Sequence, residues 1–194
     1  MQLAKFLLLI FLVALSLGCG EINNELCISQ ENSDLHDFSG LKAYKNIDDA
    51  VACSVQMKLP IFILFTGYGC VSVRRTTFEE KLFSSRKLRS IIAAKFIPVV
   101  MYVDDRKKLE EPQIAIRNGM ERKLRTVGNI HSDYQIQKFK QNSQPLFAIL
   151  DHNGDQIISH MAYSEDSKQY YHFLKAGFEK YKMLIDQESK VIDN

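Results

Sequence analysis

The 194-residue sequence has few cysteines, few prolines and almost no excess of charge of one sign. Its four Cys are too few for a disulfide scaffold in a chain of this length. Its 25 Lys and Arg nearly balance 23 Asp and Glu, and no long basic stripe marks a nucleic-acid surface. A composition of 46% hydrophobic and 25% charged residues excludes wholesale disorder and a coiled coil. We therefore expect one globular domain that does not bind nucleic acid.

Common catalytic and metal-binding motifs are also lacking. The five His, at positions 36, 131, 152, 160 and 172, show no ligand spacing with Cys or acidic residues, so we expect no metal. Neither a phosphate-binding Gly-rich loop nor a Ser/His/Asp constellation is apparent, and we expect no cofactor. No internal repeat is visible at a period of about 20–50 residues. Any function must therefore come from other local motifs.

The first 19 residues predict an export signal. Lys5 supplies a positive charge, and residues 6–15 are all apolar. An apolar core of this length is shorter than a membrane span, which needs about 20 residues. Gly18-Cys19 is similar to the end of a bacterial lipoprotein signal, in which the Cys becomes the first mature residue and carries lipid. We expect lipidation of Cys19; simple cleavage and an uncleaved anchor are the alternatives.

Residues 20–39 predict a flexible acidic tether. They include Glu21, Glu25 and Asp37 but no Lys or Arg, and the composition is typical of a solvated segment. Cys27 lies in this segment, and a bridge to Cys53 is possible in an oxidising compartment. The favoured role of Cys53 is nevertheless that of a small buried hydrophobic residue. We expect the domain over residues 40–186, followed by a C-terminal tail at 187–194.

Helical and strand-like segments alternate within the predicted domain. Apolar residues at helical spacing predict helices over 47–57, 70–83, 88–94, 130–139 and 166–185. Continuous apolar runs predict strands buried on both faces at 61–65 and 96–103. Two short strands, 146–150 and 156–160, flank the hairpin signal at 151–154, and another lies near 41–44. The predicted order is β-α-β-α-β-α-β-β-α.

Two polar segments fall between these elements. Residues 106–125 carry charges of both signs, which predicts a solvated surface loop, and the length of this loop suggests a flap that contacts a partner. Asp104-Asp105 follows a predicted strand, and this position favours a loop cap over a catalytic pair.

One segment, IFILFTGYGCVSVRR at 61–75, carries a specific resemblance. With VVMYVDD (99–105), LRTVG (124–128), residues 139–145 and YSED (163–166), it resembles the thioredoxin-like C-terminal domain of bacterial thiol:disulfide interchange proteins, also called cytochrome c biogenesis proteins. The similarity covers about residues 41–181. It implies a thioredoxin fold, an α/β fold with a central mixed sheet flanked by helices. Nothing in the sequence resembles the family's multi-helix membrane portion.

The family's redox motif is Cys-x-x-Cys at a helix N-terminus, where backbone N–H groups and the helix dipole stabilise a thiolate. Cys70 matches the first, attacking position, and Arg74 and Arg75 add positive charge nearby. The second, resolving position is occupied by Val73. Leu64 stands where family members carry a buried Asp that accepts the proton of the resolving thiol. The resemblance thus implies a domain that has left dithiol chemistry.

Two functions, one enzymatic and one not, stay open on the sequence. Cys70 alone could form mixed disulfides with protein or small thiols, which an external thiol resolves. Alternatively, a redox-inactive module could hold extended peptides beside Pro145, which the resemblance implies is a cis-proline facing Cys70. Tyr68 and Gly69 would belong to the same binding surface. The expected location is the periplasm or the envelope membrane, with the membrane contacted through lipid on Cys19.

Overall fold

The structure, a computed structural model, describes residue 27 and residues 35–38, 40–69, 83 and 85–192. The elements within these residues are β1 (His36–Phe38), β2 (Leu41–Ala43), α1 (Ile47–Met57), β3 (Ile61–Thr66), α2 (Arg86–Lys95), β4 (Ile97–Tyr102), β5 (Lys108–Arg117), β6 (Met120–Thr126), α3 (Val127–Phe139), β7 (Leu146–Leu150), β8 (Met161–Ala162) and α4 (Ser167–Ile192). Over this part of the chain, no helix combines the length and apolar character that crossing a bilayer requires.

A mixed sheet in the order β4-β3-β7-β8 forms the centre of the molecule. β4 runs parallel to β3, whereas β7 is antiparallel to β3 and β8 is antiparallel to β7. Tyr44, which follows β2, extends the sheet beyond β4 through an isolated bridge to Val99. There the N–H of Tyr44 donates to the carbonyl of Pro98 at 2.8 Å, and the N–H of Val100 donates to the carbonyl of Tyr44 at 2.9 Å.

The alternation of side chains along β3 divides the core into two layers. Ile61, Ile63 and Phe65 face the layer that contains α1 and α3. Phe62 and Leu64 face the other layer, which contains α2 and α4. Every side chain of β3 is buried, as predicted for a strand covered on both faces. This strand order, with a parallel and an antiparallel half and helices on both faces, is the thioredoxin fold.

The predicted helices within the described residues are confirmed, with differences at their ends. α1 has the predicted bounds because both of its ends are set locally. The side chain of Asn46 accepts the N–H of Asp49, and Lys58 ends the helix in the left-handed conformation. α2 and α3 begin earlier than predicted because Ser85 and Thr126 cap them. α4 continues to Ile192, beyond the predicted end at residue 185.

The prediction of a surface loop at 106–125 is wrong. β5 and β6 form an antiparallel hairpin, with Arg117 paired to Met120 across a turn at Asn118-Gly119. Both turn residues have positive φ, 52° and 75°, which suits Asn-Gly. Most side chains of the hairpin are exposed, so its composition resembles that of a loop although its backbone is paired.

The prediction of a strand at 156–160 is also wrong. Only Gln156 of that segment pairs with β7, in an isolated bridge to Leu150. The second strand, β8, comes later, where Met161 and Ala162 pair with Phe147 and Leu146. The carboxylate of Asp151 accepts the N–H groups of Asn153 and Asp155, so the predicted turn exists. Local turn chemistry located the reversal but not the point at which the returning chain pairs again.

The segment predicted as a tether, 20–39, is partly folded. His36–Phe38 forms β1, which pairs with β2, and the ring of Phe38 packs edge-on against Phe83 at a centroid distance of 4.9 Å. Cys27 is buried in the layer that contains α1. The charges that dominate the composition concealed these few apolar contacts. Residues 20–26, 28–34 and 39 lie outside the described residues, as do the predicted signal and most of the helix predicted over 70–83.

Candidate functional site

Residues 67–69 leave the carboxyl end of β3 and lead directly to Cys70. The N–H groups of Tyr68 and Gly69 donate to the two carboxylate oxygens of Asp104, at 2.8 Å and 2.6 Å. Asp104 follows β4, and the carboxyl ends of parallel strands meet at one edge of a sheet. The predicted role of Asp104 as a loop cap is confirmed. A Cβ at Gly69 would lie 3.0 Å from this carboxylate, so the glycine permits the close approach.

The turn at Asp104-Asp105 is itself fixed by a hydrogen bond from α3. The N–H of Gly128, in the first turn of that helix, donates to the carbonyl of Asp105 at 3.0 Å. A Cβ at Gly128 would collide with the backbone of Asp105, so only glycine allows the helix to come this close. The loop that leads to Cys70 is therefore connected through Asp104 to a rigid helix.

Tyr68 presents an aromatic surface at this loop. Its side chain is 62% exposed, and its ring stacks on Tyr102 with centroids 3.8 Å apart and an interplanar angle of 5°. Partial burial, and to a smaller extent the carboxylates of Asp105 and Asp104, raise the pKa of the Tyr68 phenol. The phenol is thus neutral near pH 7 and can donate a hydrogen bond to a bound partner.

Pro145 lies at the same edge of the sheet. Its peptide bond with Gln144 is cis, as predicted. Leu146, the next residue, pairs with Phe65 of β3, so Pro145 lies beside the end of β3, where residues 67–69 begin. The side chain of Gln135, in α3, donates to the Ser143 carbonyl at 2.8 Å and accepts from Gln144 at 3.0 Å. The predicted binding residues Tyr68, Gly69 and Pro145 are thus near one another, on segments fixed to α3.

The other predicted site residues are in the undescribed part of the chain. They are Cys19, Cys70, Arg74 and Arg75, together with Val73 at the resolving position. Leu64 is described: it is completely buried, in the layer that contains Phe62, Phe83 and Phe147. An apolar side chain packed among aromatic rings occupies this position, so no carboxylate is available there to accept a proton.

A cavity of about 410 Å³, which the sequence did not predict, opens beside Tyr68. It lies between the start of α1, the end of β4 and the start of α3. Its lining is largely apolar and aromatic, and includes Ile47, Val127, Ile130, Tyr68, Tyr102 and Tyr134. Four charged residues also line it, namely Lys45, Lys107, Asp48 and Asp105. A cavity of this size and lining suits an aromatic side chain or a small ligand. Its walls come from separate segments, so no local motif signals it.

His131 is a buried titratable group of this cavity, at 7% exposure. Its Nδ1 lies 3.0 Å from the carbonyl oxygen of Tyr102. Burial lowers the pKa of His131, and this outweighs the opposite influence of the Tyr102 carbonyl, the Asp105 charge and the Lys45 carbonyl. The ring is therefore neutral near pH 7. Within the described residues, no group of three or more His, Cys, Asp or Glu is arranged to hold a metal.

The strand order and the two helical layers define the chain as a thioredoxin-fold protein. No family model matches it, and no curated protein matches it. Among solved structures, a thioredoxin-fold protein from Helicobacter pylori is similar to it, with 17% sequence identity and a TM-score of 0.35. That match covers 65% of this chain and 86% of the other.

Proposed function

We propose that this thioredoxin-fold protein is related to thiol:disulfide interchange proteins and acts through the single thiol of Cys70. The observation that carries the proposal is the loop at 67–69, fixed by two hydrogen bonds to Asp104 at the sheet edge beside Pro145. Tyr68 and Gly69 are exposed, which supports an accessible thiol at the next residue. A rigid loop at a sheet edge suits the in-line approach that thiol–disulfide exchange requires.

In the proposed reaction, the Cys70 thiolate attacks one sulfur of a partner disulfide. The partner's S–S bond breaks, a new S–S bond joins Cys70 to that sulfur, and the other sulfur leaves as a thiolate. A thiolate from outside the chain then attacks the partner's sulfur in this mixed disulfide, so that a new S–S bond joins the outside sulfur to the partner and Cys70 leaves as a thiolate. Arg74 and Arg75 would favour the Cys70 thiolate by their charge. Val73 provides no resolving thiol, and the buried Leu64 provides no proton acceptor, so the mixed disulfide would persist until an external thiol arrives.

The test of this proposal is the pH dependence of Cys70 alkylation by iodoacetamide. We expect a half-maximal rate at least one pH unit below about 8.5, the ordinary cysteine pKa, and formation of one glutathione adduct with glutathione disulfide. Replacing both Arg74 and Arg75 with Gln should raise this midpoint, whereas Cys53→Ser should not, because Cys53 is buried. Insulin reduction with dithiothreitol should stay at background. A midpoint at or above about 8.5, or catalysed insulin reduction, would contradict the proposal.

The cavity beside Tyr68 favours a second candidate, a binding module for extended peptides that does not need the thiol. Reduced, carboxymethylated lactalbumin is a suitable extended probe. The binding module is favoured over the thiol function by three results together. Cys70→Ser leaves the affinity for this probe unchanged, Tyr68→Ala weakens that affinity, and the alkylation midpoint of Cys70 lies at or above about 8.5. A low alkylation midpoint, with a glutathione adduct that forms on the wild-type chain and is absent from Cys70→Ser, would favour the thiol function instead.

We further propose that the protein is exported and held at the envelope membrane by lipid on Cys19. The support is the sequence of residues 1–19, with Lys5, the apolar residues 6–15 and Gly18-Cys19. In bacteria grown with labelled palmitate, the wild-type chain should carry label, and Cys19→Ala should lose both label and membrane association. Cys27→Ala is the matched control and should keep both. A soluble, unlabelled mature chain would show ordinary signal cleavage instead.

A further inference from the structure

Residue 27 is attached to the domain at three points. Cys27 is 6% exposed, and its Sγ lies 3.7 Å from the Cys53 carbonyl oxygen and 3.3 Å from Oε1 of Gln56, both in α1. The hydroxyl of Tyr44, at the end of β2, donates to the Cys27 carbonyl at 3.4 Å. These contacts hold a residue that precedes β1 against the helix that follows β2.

A second thiol, that of Cys53, lies at the same place. Cys53 is 5% exposed, and its side chain is close enough to Cys27 and Tyr44 to raise the pKa of both groups. Both cysteines are free thiols in the structure. Because the Sγ of Cys27 lies 3.7 Å from the carbonyl oxygen of Cys53, the two residues need only a small movement to bring their sulfurs to an S–S bond length of about 2.05 Å. The folded structure therefore places two buried cysteines, one from each of two segments, where a disulfide formed during folding would fit.

We propose that Cys27 and Cys53 form a disulfide that fastens the N-terminal segment to α1. The oxidant is a disulfide compound, such as glutathione disulfide or the disulfide of a protein. One thiolate of the pair attacks the oxidant, whose S–S bond breaks. The second thiolate then attacks the mixed disulfide, so that two thiols of the oxidant are released and one bond joins Cys27 to Cys53.

The surroundings of the pair decide when this bond can form. Burial, followed by the hydrogen bond and charge of Cys53, raises the pKa of Cys27 to about 12. A docked Cys27 is therefore a protonated and unreactive thiol. The bond would form while the chain folds, before the segment docks, and the same burial would then protect it from reductants. Where Cys19 carries lipid, the bond would leave seven residues, 20–26, between the lipidated cysteine and the point of attachment. This consequence rests on the proposed function, and the bond itself does not.

The first experiment traps the thiols of the full chain in intact cells with N-ethylmaleimide, followed by trypsin digestion without reductant. Lys42, Lys45 and Lys58 place Cys27, Cys53 and Cys70 on separate peptides. Cys19 shares the peptide of Cys27, so a Cys27→Ser variant, in which no linked species should form, distinguishes these two cysteines. We expect a linked species that joins the Cys27 peptide to peptide 46–58 and disappears on reduction. Cys53→Ser should abolish it, whereas Cys70→Ser should leave it intact, which separates this result from the fate of the Cys70 proposal.

The second experiment refolds the purified full chain from denaturant with glutathione disulfide. The same linked species should form, and the oxidised protein should melt roughly 5–10 °C above the reduced one, as expected for a loop of this length. In Cys53→Ser the melting temperature should not depend on oxidation. Alkylated Cys27 and Cys53 in cells, no linked species after refolding, or a bond from either residue to Cys70 would each overturn the proposal.

Discussion

Leu64→Asp should lower the free energy of unfolding by about 4 kcal/mol at pH 7. Leu64 is completely buried, and the described side chains of its layer are hydrophobic. A carboxylate placed there loses its hydration and gains no opposite charge. Equilibrium unfolding in urea measures this loss, and Leu64→Ala is the matched control. The control loses the same packing without adding a charge, at a cost of about 3 kcal/mol.

The pH dependence separates the charge effect from the packing effect. Burial raises the pKa of the new carboxyl in the folded state above its unfolded value of about 3.9. The folded variant thus keeps a proton that the unfolded chain releases, so its stability is highest below about pH 4 and falls as pH rises. The stability difference between Leu64→Asp and Leu64→Ala should grow from about pH 4 to about pH 8. A difference that does not change with pH would mean that water or a cation reaches residue 64.

Val73→Cys should raise the disulfide reductase rate at least tenfold above background. If Cys70 begins a helix, residue 73 faces it, because residues three apart lie on one side of a helix. The variant would then contain the missing resolving thiol, which closes the catalytic cycle within the chain. The measurement is insulin reduction, with Val71→Cys as the matched control. That variant adds a thiol next to Cys70 in the sequence but not on the same helix face, and it should stay at background.

The combination with Leu64→Asp tests the second departure from the family pattern. If residue 64 lies near the pair, as the family resemblance implies, its carboxylate can take the proton of the resolving thiol, and the double variant should turn over faster than Val73→Cys alone. Leu64→Asp alone should restore no activity. The assays are run at a temperature below the melting temperature of the least stable variant, so that every variant is folded. If Val73→Cys forms no disulfide with Cys70 under mild oxidant, Cys70 does not begin a helix, and the proposed site must be withdrawn.

The elements that the sequence predicted well are those whose signals are local. α1 has a capping Asn46, acidic residues in its first turn and apolar residues at helical spacing, and its bounds are as predicted. β3 is apolar throughout because both of its faces are covered, and this is visible without knowing what covers them. The hairpin β5–β6 was missed because most of its side chains are exposed and many of them are charged, as in a surface loop. The burial of Cys27 was missed because a short apolar contact is hidden in an acidic segment.

The sequence by itself located the buried strands and the capped helices, and its resemblance to a known family implied the thioredoxin fold, the cis-proline at Pro145 and the lack of a cysteine at the resolving position, Val73. The tertiary fold decided which distant segments these and other residues contact. Asp104 holds the loop before Cys70, His131 lies in a cavity beside Tyr68, and Cys27 contacts Cys53. Each of these contacts joins residues that are distant in the chain. Their proximity follows from strand order and helix packing, which no local pattern encodes.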